Sequence, residues 1–217
     1  DNLAIGYQAM TANTAGGTKN IAIGNYALDA LTSGDDNVAV GYDAMTANTT
    51  GIANTAVGSS SLKTNTTGAN NVAMGIQALY SNTTADNNTA VGRDALYTNS
   101  TGADNTAVGR AALVQNTTAS NNTAVGKDAL GDNTTGADNT AVGKGALEVN
   151  TTGQRNVAIG KDALKSNDDG GYNIAIGFEA LEANLASNNI AIGKSTLEAN
   201  TTGTRNLAIG YEAYVGS

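Results

Sequence analysis

The chain has 217 residues with 27 Gly and one Phe, it contains no Pro, Cys, His or Trp, and its formal net charge is −8. Without Cys and His it has no thiol nucleophile and no disulfide, and it lacks the side chain most often used as a general base or a metal ligand. The negative charge argues against a nucleic-acid partner, and no apolar run is long enough to insert into a membrane.

One short repeat runs through the whole chain. The motif Asn-x-Ala-(Val/Ile)-Gly, with Met in one copy, occurs 13 times, and its glycines are mostly 17 residues apart. Numbered from its Asn, the repeat reads N-(T/V/I/L)-A-(V/I)-G-x-x-A-L-x-x-N-T-T-G-x-x. Position 1 is always Asn and position 3 is always Ala, from Asn2 and Ala4 to Asn206 and Ala208. A short fixed period of this kind indicates a solenoid.

Each repeat contains two predicted strands and a turn. Positions 2–4 alternate and are rich in β-branched residues, which favours a short strand. Positions 8–11, with the sequence Ala-Leu-x-x, predict a second and weaker strand. Positions 12–17 have turn chemistry, because Asn bonds its own backbone and Gly adopts positive φ. The sequence therefore predicts an all-β protein: a parallel β-roll or β-solenoid of about 13 coils, in a single repeat domain over residues 1–217.

The alternation in the first strand leaves two orientations open. It places positions 2 and 4 on one face and position 3 on the other. We expect positions 4 and 9 to fill the interior, as in Val108 with Leu113 and Ile159 with Leu164. The Ala column would then face outward, where small side chains let another chain approach closely, and the candidate contacts are Ala107, Ala124 and Ala141. The alternative is that Ala fills a cramped interior.

The two Asn columns predict stacked amide ladders that satisfy backbone groups in the turns. Asn105, Asn122 and Asn139 represent position 1, and Asn116 and Asn133 represent position 12. A residue that recurs in nearly every coil is interpreted as structural and not as catalytic.

Few large side chains are available to each coil, so little apolar surface offsets the cost of ordering 17 residues. This predicts burial against neighbouring chains, in a homo-oligomer. Neither end of the sequence has a distinct capping unit, which solenoids use to protect their terminal edges. We therefore expect a fragment of a longer fibrous protein, or rods that stack end to end into a filament.

No constellation of catalytic residues is found, so the sequence predicts no enzyme, no cofactor and no metal. Carboxylates in the turns are interpreted as solvated. Tyr80 and Tyr97 occupy position 10 on neighbouring coils and are candidates for surface binding of a glycan or a host receptor. Thr at position 2 in five repeats leaves an ice-binding solenoid as a minor alternative.

The motif in Asn156-Val157-Ala158-Ile159-Gly160 resembles the head repeats of trimeric autotransporter adhesins. The longer unit over residues 122–136 is similar to repeats of bacteriophage tail fibres, and this resemblance covers essentially the whole chain. It implies a left-handed parallel β-roll, three chains around a common axis, and an extracellular or virion-surface protein. Adhesin heads use a shorter coil, which favours a shaft segment of a tail fibre that supports host attachment. A bacterial adhesin head that binds host matrix or glycan is the alternative.

Overall fold

A computed structural model describes residues 1–13 and 15–214 of the chain. Thr14 and residues 215–217 are outside the described part. The prediction that rods stack end to end involves the C-terminal end, so part of it falls outside the described residues.

The described residues form a β-solenoid in which every coil contributes one three-residue strand to a single parallel sheet. The strands follow one another in chain order, and each pairs with the next in the same register, Ala beside Ala. The predicted all-β solenoid is thus confirmed. The strands are β1 (Leu3–Ile5), β2 (Ile21–Ile23), β3 (Val38–Val40), β4 (Thr55–Val57), β5 (Val72–Met74), β6 (Thr89–Val91), β7 (Thr106–Val108), β8 (Thr123–Val125), β9 (Thr140–Val142), β10 (Val157–Ile159), β11 (Ile174–Ile176), β12 (Ile190–Ile192) and β13 (Leu207–Ile209).

Hydrogen bonds between neighbouring coils hold the rod together along its length. In the sheet, the Thr123 amide donates to the Asn139 carbonyl over 2.8 Å. In the turn segment, the Leu130 amide donates to the Ala146 carbonyl over 3.0 Å. Because such bonds recur in successive coils, neighbours a whole repeat apart satisfy much of the backbone.

The predicted second strand is wrong, because positions 6–11 form a run of turns. Asp128 and Leu130 have φ values of 58° and 49°, in the left-handed region. The reason lies in the burial of adjacent residues: Ala129 and Leu130 are both fully buried. A strand would point two consecutive side chains to opposite faces, whereas left-handed turns allow both to point into the interior.

The interior contains the Ala of the strand and the Ala-Leu pair of the turns. Leu113 and Leu164 are fully buried, so the inward orientation of position 9 is confirmed. The inward orientation of position 4 is wrong, since Val108 is 36% exposed and Ile159 is 40% exposed.

Placing the Ala column outward is also wrong. Ala107, Ala124 and Ala141 are fully buried within a single chain, so they do not reach a neighbouring chain. The Leu from the turn segment already fills the space opposite each strand. Only a side chain as small as Ala fits against it, and the larger β-branched residues are therefore on the outside.

Glycine at position 5 is required at the corner that follows each strand. Gly143 has φ of 140°, and a Cβ atom there would clash with the carbonyl oxygen of Gly160 on the next coil. The tight stacking of the coils leaves no room for a side chain at this corner.

Candidate assembly surface

The Asn residues at position 1 form a buried ladder. The backbone N–H of Asn122 donates to Asn105 Oδ1 over 3.0 Å, and the backbone N–H of Asn139 donates to Asn122 Oδ1 over 2.9 Å. Each side-chain Nδ2 group also closes its own coil, as Asn122 does by donating to the Gly136 carbonyl over 2.9 Å. These residues are fully or almost fully buried and are engaged in backbone structure, which leaves them no free group for a ligand.

A second buried ladder connects the Asn residues at position 12. Asn133 Nδ2 donates to Asn116 Oδ1 over 2.9 Å and to the Gly136 carbonyl over 3.0 Å. Leu31 interrupts this column. Within residues 1–13 and 15–214, the one buried side-chain polar atom without a hydrogen-bond partner is Oδ1 of Asn13, on the coil before Leu31. The Leu side chain cannot donate the bond that an Asn would supply there.

The hydroxyl groups at position 13 form a third ladder, which the sequence analysis missed. Thr66 Oγ1 donates to the Thr83 carbonyl over 3.0 Å, and Thr134 Oγ1 donates to the Thr151 carbonyl over 3.0 Å. The recurring Thr-Thr dipeptide was the available signal, because a residue kept at one position of each turn suggests a stacked contact.

The outer side of the sheet carries an apolar strip along the rod, formed by positions 2 and 4 of the strands. We call this strip the sheet face. Position 4 is Val or Ile in every coil except one, where it is Met74, and position 2 is Thr or aliphatic. Its exposed large members include Ile23, Met74, Val108, Val125, Val142, Ile159, Ile176 and Ile192. A continuous apolar strip of this length is unusual on a protein surface that faces only water.

Charged side chains border the sheet face on both long edges. Position 6, just after the strand, carries cations on five successive coils, and we call this edge the cationic flank: Arg93, Arg110, Lys127, Lys144 and Lys161. Position 17, before the strand, carries both signs of charge along the rod: Asp36, Asp104 and Asp138, but also Lys19, Arg155 and Arg205. We call the stretch of this edge formed by Asn87, Asp104, Asn121 and Asp138, where the only charges are negative, the acidic flank. Asn87 Nδ2 donates to Asp104 Oδ1 over 3.1 Å, and Asn121 Nδ2 donates to Asp138 Oδ1 over 3.3 Å.

Tyr80 and Tyr97 stack on each other at the outer surface of the turn segment. Their ring centroids are 5.1 Å apart, and the rings are inclined by 20°. Lys63 Nζ lies 5.9 Å from the Tyr80 ring centroid and pairs with Asp43 over 2.9 Å. The structure thus brings the two predicted residues together as a half-buried aromatic platform next to an ion pair.

Three carboxylates also come together where positions 7 and 10 of neighbouring coils meet. Oxygen atoms of Glu179, Glu182 and Glu198 lie within 4.8 Å of one another. Burial, followed by the charges of Glu179 and Glu198, raises the pKa of Glu182 above its ordinary value. Glu residues in two stacked columns explain this proximity without a bound ion.

The described part of the rod has no cavity or cleft for a small ligand. The same residues also contain no helix with the length and apolar character needed to cross a membrane. The features that remain are surfaces, namely the sheet face with its two flanks and the Tyr80–Tyr97 platform.

Comparison with known proteins gives no match to a family model, to a curated protein or to a solved structure. Interpretation of the surfaces therefore rests on their own chemistry.

Proposed function

We propose that this chain is a structural shaft segment of a fibre, of the tail-fibre kind, on a virion or an extracellular appendage. In this proposal three copies pack around a common axis with their sheet faces inward. The resulting rod sets a distance between a particle and the host surface to which it attaches. Its role is mechanical and needs no catalytic group.

The observation that supports this proposal most strongly is the exposed apolar sheet face. In one chain, Val125 and Val142 are still 37% and 36% exposed, while the Ala and Leu residues behind them are fully buried. The interior of the coil is therefore already full, and residues 1–13 and 15–214 offer the strip no further partner within the chain. Burying it against copies of the chain would supply the apolar contact that a thin coil lacks.

The first experiment is the native mass of the purified chain, measured by light scattering. The proposal predicts three times the chain mass of 21.6 kDa. Changing Val125→Lys together with Val142→Lys should reduce it to the mass of one chain, because two charges on the sheet face cannot be buried without partners.

The control carries the same two Lys residues on an exposed turn surface, as Thr135→Lys with Thr152→Lys, and should keep the parent mass. A parent protein that runs as a single folded chain would contradict the proposal, and so would Val variants that assemble normally.

A second candidate function is adhesion along the rod, as in a bacterial adhesin head. It is supported by the Tyr80–Tyr97 platform, since stacked aromatic rings beside charged and polar groups suit the apolar face of a sugar. Binding of the parent to a glycan array, lost in Tyr80→Ala with Tyr97→Ala but retained in Tyr172→Ala, would support it. Equal binding by parent and double variant, or no binding by the parent, would contradict it.

A further inference from the structure

From the charges beside the sheet face, we propose that copies of this chain pack parallel and without stagger, with the cationic flank of one copy against the acidic flank of the next. This inference rests on the proposed assembly through the sheet face. It adds the residues whose charges favour the parallel, level arrangement of that assembly over an antiparallel one.

The argument begins with the height of the charges along the rod. Position 17 lies before each strand and position 6 lies after it. A residue on the acidic flank therefore borders the same strand as the residue six places later in the chain, which is on the cationic flank. Asp104 and Arg110 border β7, and Asp138 and Lys144 border β9. The opposite charges are thus level with each other on the two edges of one chain.

Symmetry then decides which edges meet. If copies are related by rotation about an axis parallel to the rod, the left edge of each face meets the right edge of the next, and residues at one level stay level. Two copies can also pack antiparallel and face to face, related by a twofold axis that is perpendicular to the rod and lies in the contact plane. In that case the cationic flank of one copy meets the cationic flank of the other, and the acidic flank meets the acidic flank. The antiparallel arrangement would place the row of cations against itself.

The parallel arrangement brings complementary groups together at several levels. Asp104 would meet Arg110 of the next copy, and Asp138 would meet Lys144. At β11 the corresponding pair is Tyr172 with Phe178, which suits an aromatic contact. At β10 the pair is Arg155 with Lys161, which carries like charges. Arg155 is already held within its own chain, over the Tyr172 ring with 5.4 Å between the guanidinium carbon and the ring centroid.

Arg110 and Lys144 keep much of their charge available on the cationic flank. Arg110 is 56% exposed and only 3.6 Å from Asp128, which belongs to position 7, one residue further from the strand. Lys144 is exposed and followed by Gly145, and it makes no ion pair with any other residue that the structure describes.

On the acidic flank, Asp138 Oδ2 lies 3.6 Å from Arg155 Nε of its own chain, and both side chains are exposed, so Asp138 can still accept a second cation. Exposed ion pairs add little affinity, but opposite charges on facing edges favour one orientation and register over others.

The test uses three charge variants of the full chain. One replaces both cations, Arg110→Glu with Lys144→Glu, and a second replaces both acids, Asp104→Lys with Asp138→Lys. The third combines all four changes and keeps the net charge of −8, because the reversals cancel. As a control for folding and for the charge change of the first variant, Lys63→Glu with Lys165→Glu reverses two cations on the outer surface of the turn segment.

We expect each two-site variant to need an about tenfold or higher concentration to assemble, as two like-charge contacts replace two favourable ones at every interface. The four-site variant should return to the parent's behaviour, and the turn-segment control should not change. Circular dichroism of each variant establishes that the coils are folded.

If the two-site variants assemble like the parent, or if the four-site variant remains as weak as they are, the flank pairing is overturned while assembly through the sheet face stands. A parent that is a single folded chain would overturn both proposals. The native mass of the unaltered protein therefore separates failure of the assembly from failure of its register.

Discussion

At the scale of single residues, the buried amides explain why the repeat tolerates so little change at positions 1 and 12. At position 12 each Asn side chain donates to one neighbouring coil and accepts from the other, so one replacement affects two other side chains. At position 1 the side-chain oxygen accepts from the backbone N–H of the next coil, so a replacement leaves that N–H without its acceptor. Leu31 shows the consequence, since Asn13 Oδ1 on the coil before it is buried without a partner. An amide left unpaired in the interior costs more free energy than a paired one contributes.

Asn133→Leu should lower the free energy of unfolding by about 2–3 kcal/mol, because Asn116 Oδ1 loses its donor from the ladder and Asn150 Nδ2 loses one of its two acceptors. The reciprocal change Leu31→Asn should alter stability by less than about 1 kcal/mol, as the new donor to Asn13 offsets the lost apolar burial. Guanidinium unfolding followed by circular dichroism measures both. Equal losses in the two variants would argue against the ladder.

The raised pKa of Glu182 gives a prediction about pH. The pKa of Glu182 in the folded protein lies above the ordinary Glu value, so ionising this carboxylate opposes folding. The resulting loss of stability grows as the pH rises from the ordinary Glu pKa through the raised pKa of the folded protein. Glu182→Gln should therefore stabilise the protein at neutral pH by about 0.5 kcal/mol, on the scale of a like-charge pair. In acid below the ordinary Glu pKa the difference should disappear.

Thermal unfolding of the parent and of Glu182→Gln at neutral and acidic pH measures this effect. The control is Glu148→Gln, which removes a carboxylate 3.6 Å from Lys165 and should bring no gain at neutral pH. A Glu182→Gln variant that is less stable than the parent at neutral pH would show that the three carboxylates do not repel one another.

At the scale of the element, each strand is short and presents different residues to its two sides. Ala124 lies in the full interior of the coil, while Thr123 and Val125 lie on the sheet face. The turn segment opposite supplies Leu130, whose left-handed backbone lets it fill the space beside that Ala. The large Leu of the turn segment therefore requires a small Ala in the strand opposite, and the small Ala leaves the space that the Leu fills.

Ala124→Val should destabilise the protein by about 1–3 kcal/mol, because the interior has no room for two more methyl groups. Val125→Ala, which removes the same volume from the neighbouring position, should cost less than about 1 kcal/mol in the monomer, since that side chain is already partly in water. Unfolding is compared under conditions where the protein is a single chain. A tolerated Ala124→Val would place the Ala column outside.

At the scale of the whole molecule, the rod is a stack in which each coil contacts only its neighbours. The stability of such a stack is a sum of local terms, and whole coils are interchangeable units. The strand spacing of about 4.8 Å per coil then sets the length of the shaft.

Deleting residues 89–156 removes four whole coils and joins Asn88 to Val157 in the original register. The shortened chain should fold, with its longest dimension reduced by about 19 Å in small-angle scattering. Deleting residues 89–148 instead breaks the register and should leave exposed, poorly folded chain at the junction. Equal folding of both deletions would argue against a stack of equivalent coils.

Much of this architecture was predictable from the sequence because it depends on local periodicity. The 17-residue period, the strands at positions 2–4 and the stacked Asn columns all follow from residues that recur at fixed intervals. A short repeat can satisfy its own backbone only by pairing with the copy beside it, so the period alone implies a solenoid.

The tertiary structure decided what lies inside and what lies outside. Alternation shows that Ala124 and Val125 lie on opposite faces of the strand but does not show which face is inside; the position of Leu130 decides that. The left-handed turns around Leu130 were also not predicted, because the sequence of that segment is typical of a weak strand. The sheet face and its two flanks depend on that choice, because an interior already filled by Leu and Ala leaves the β-branched residues on the surface.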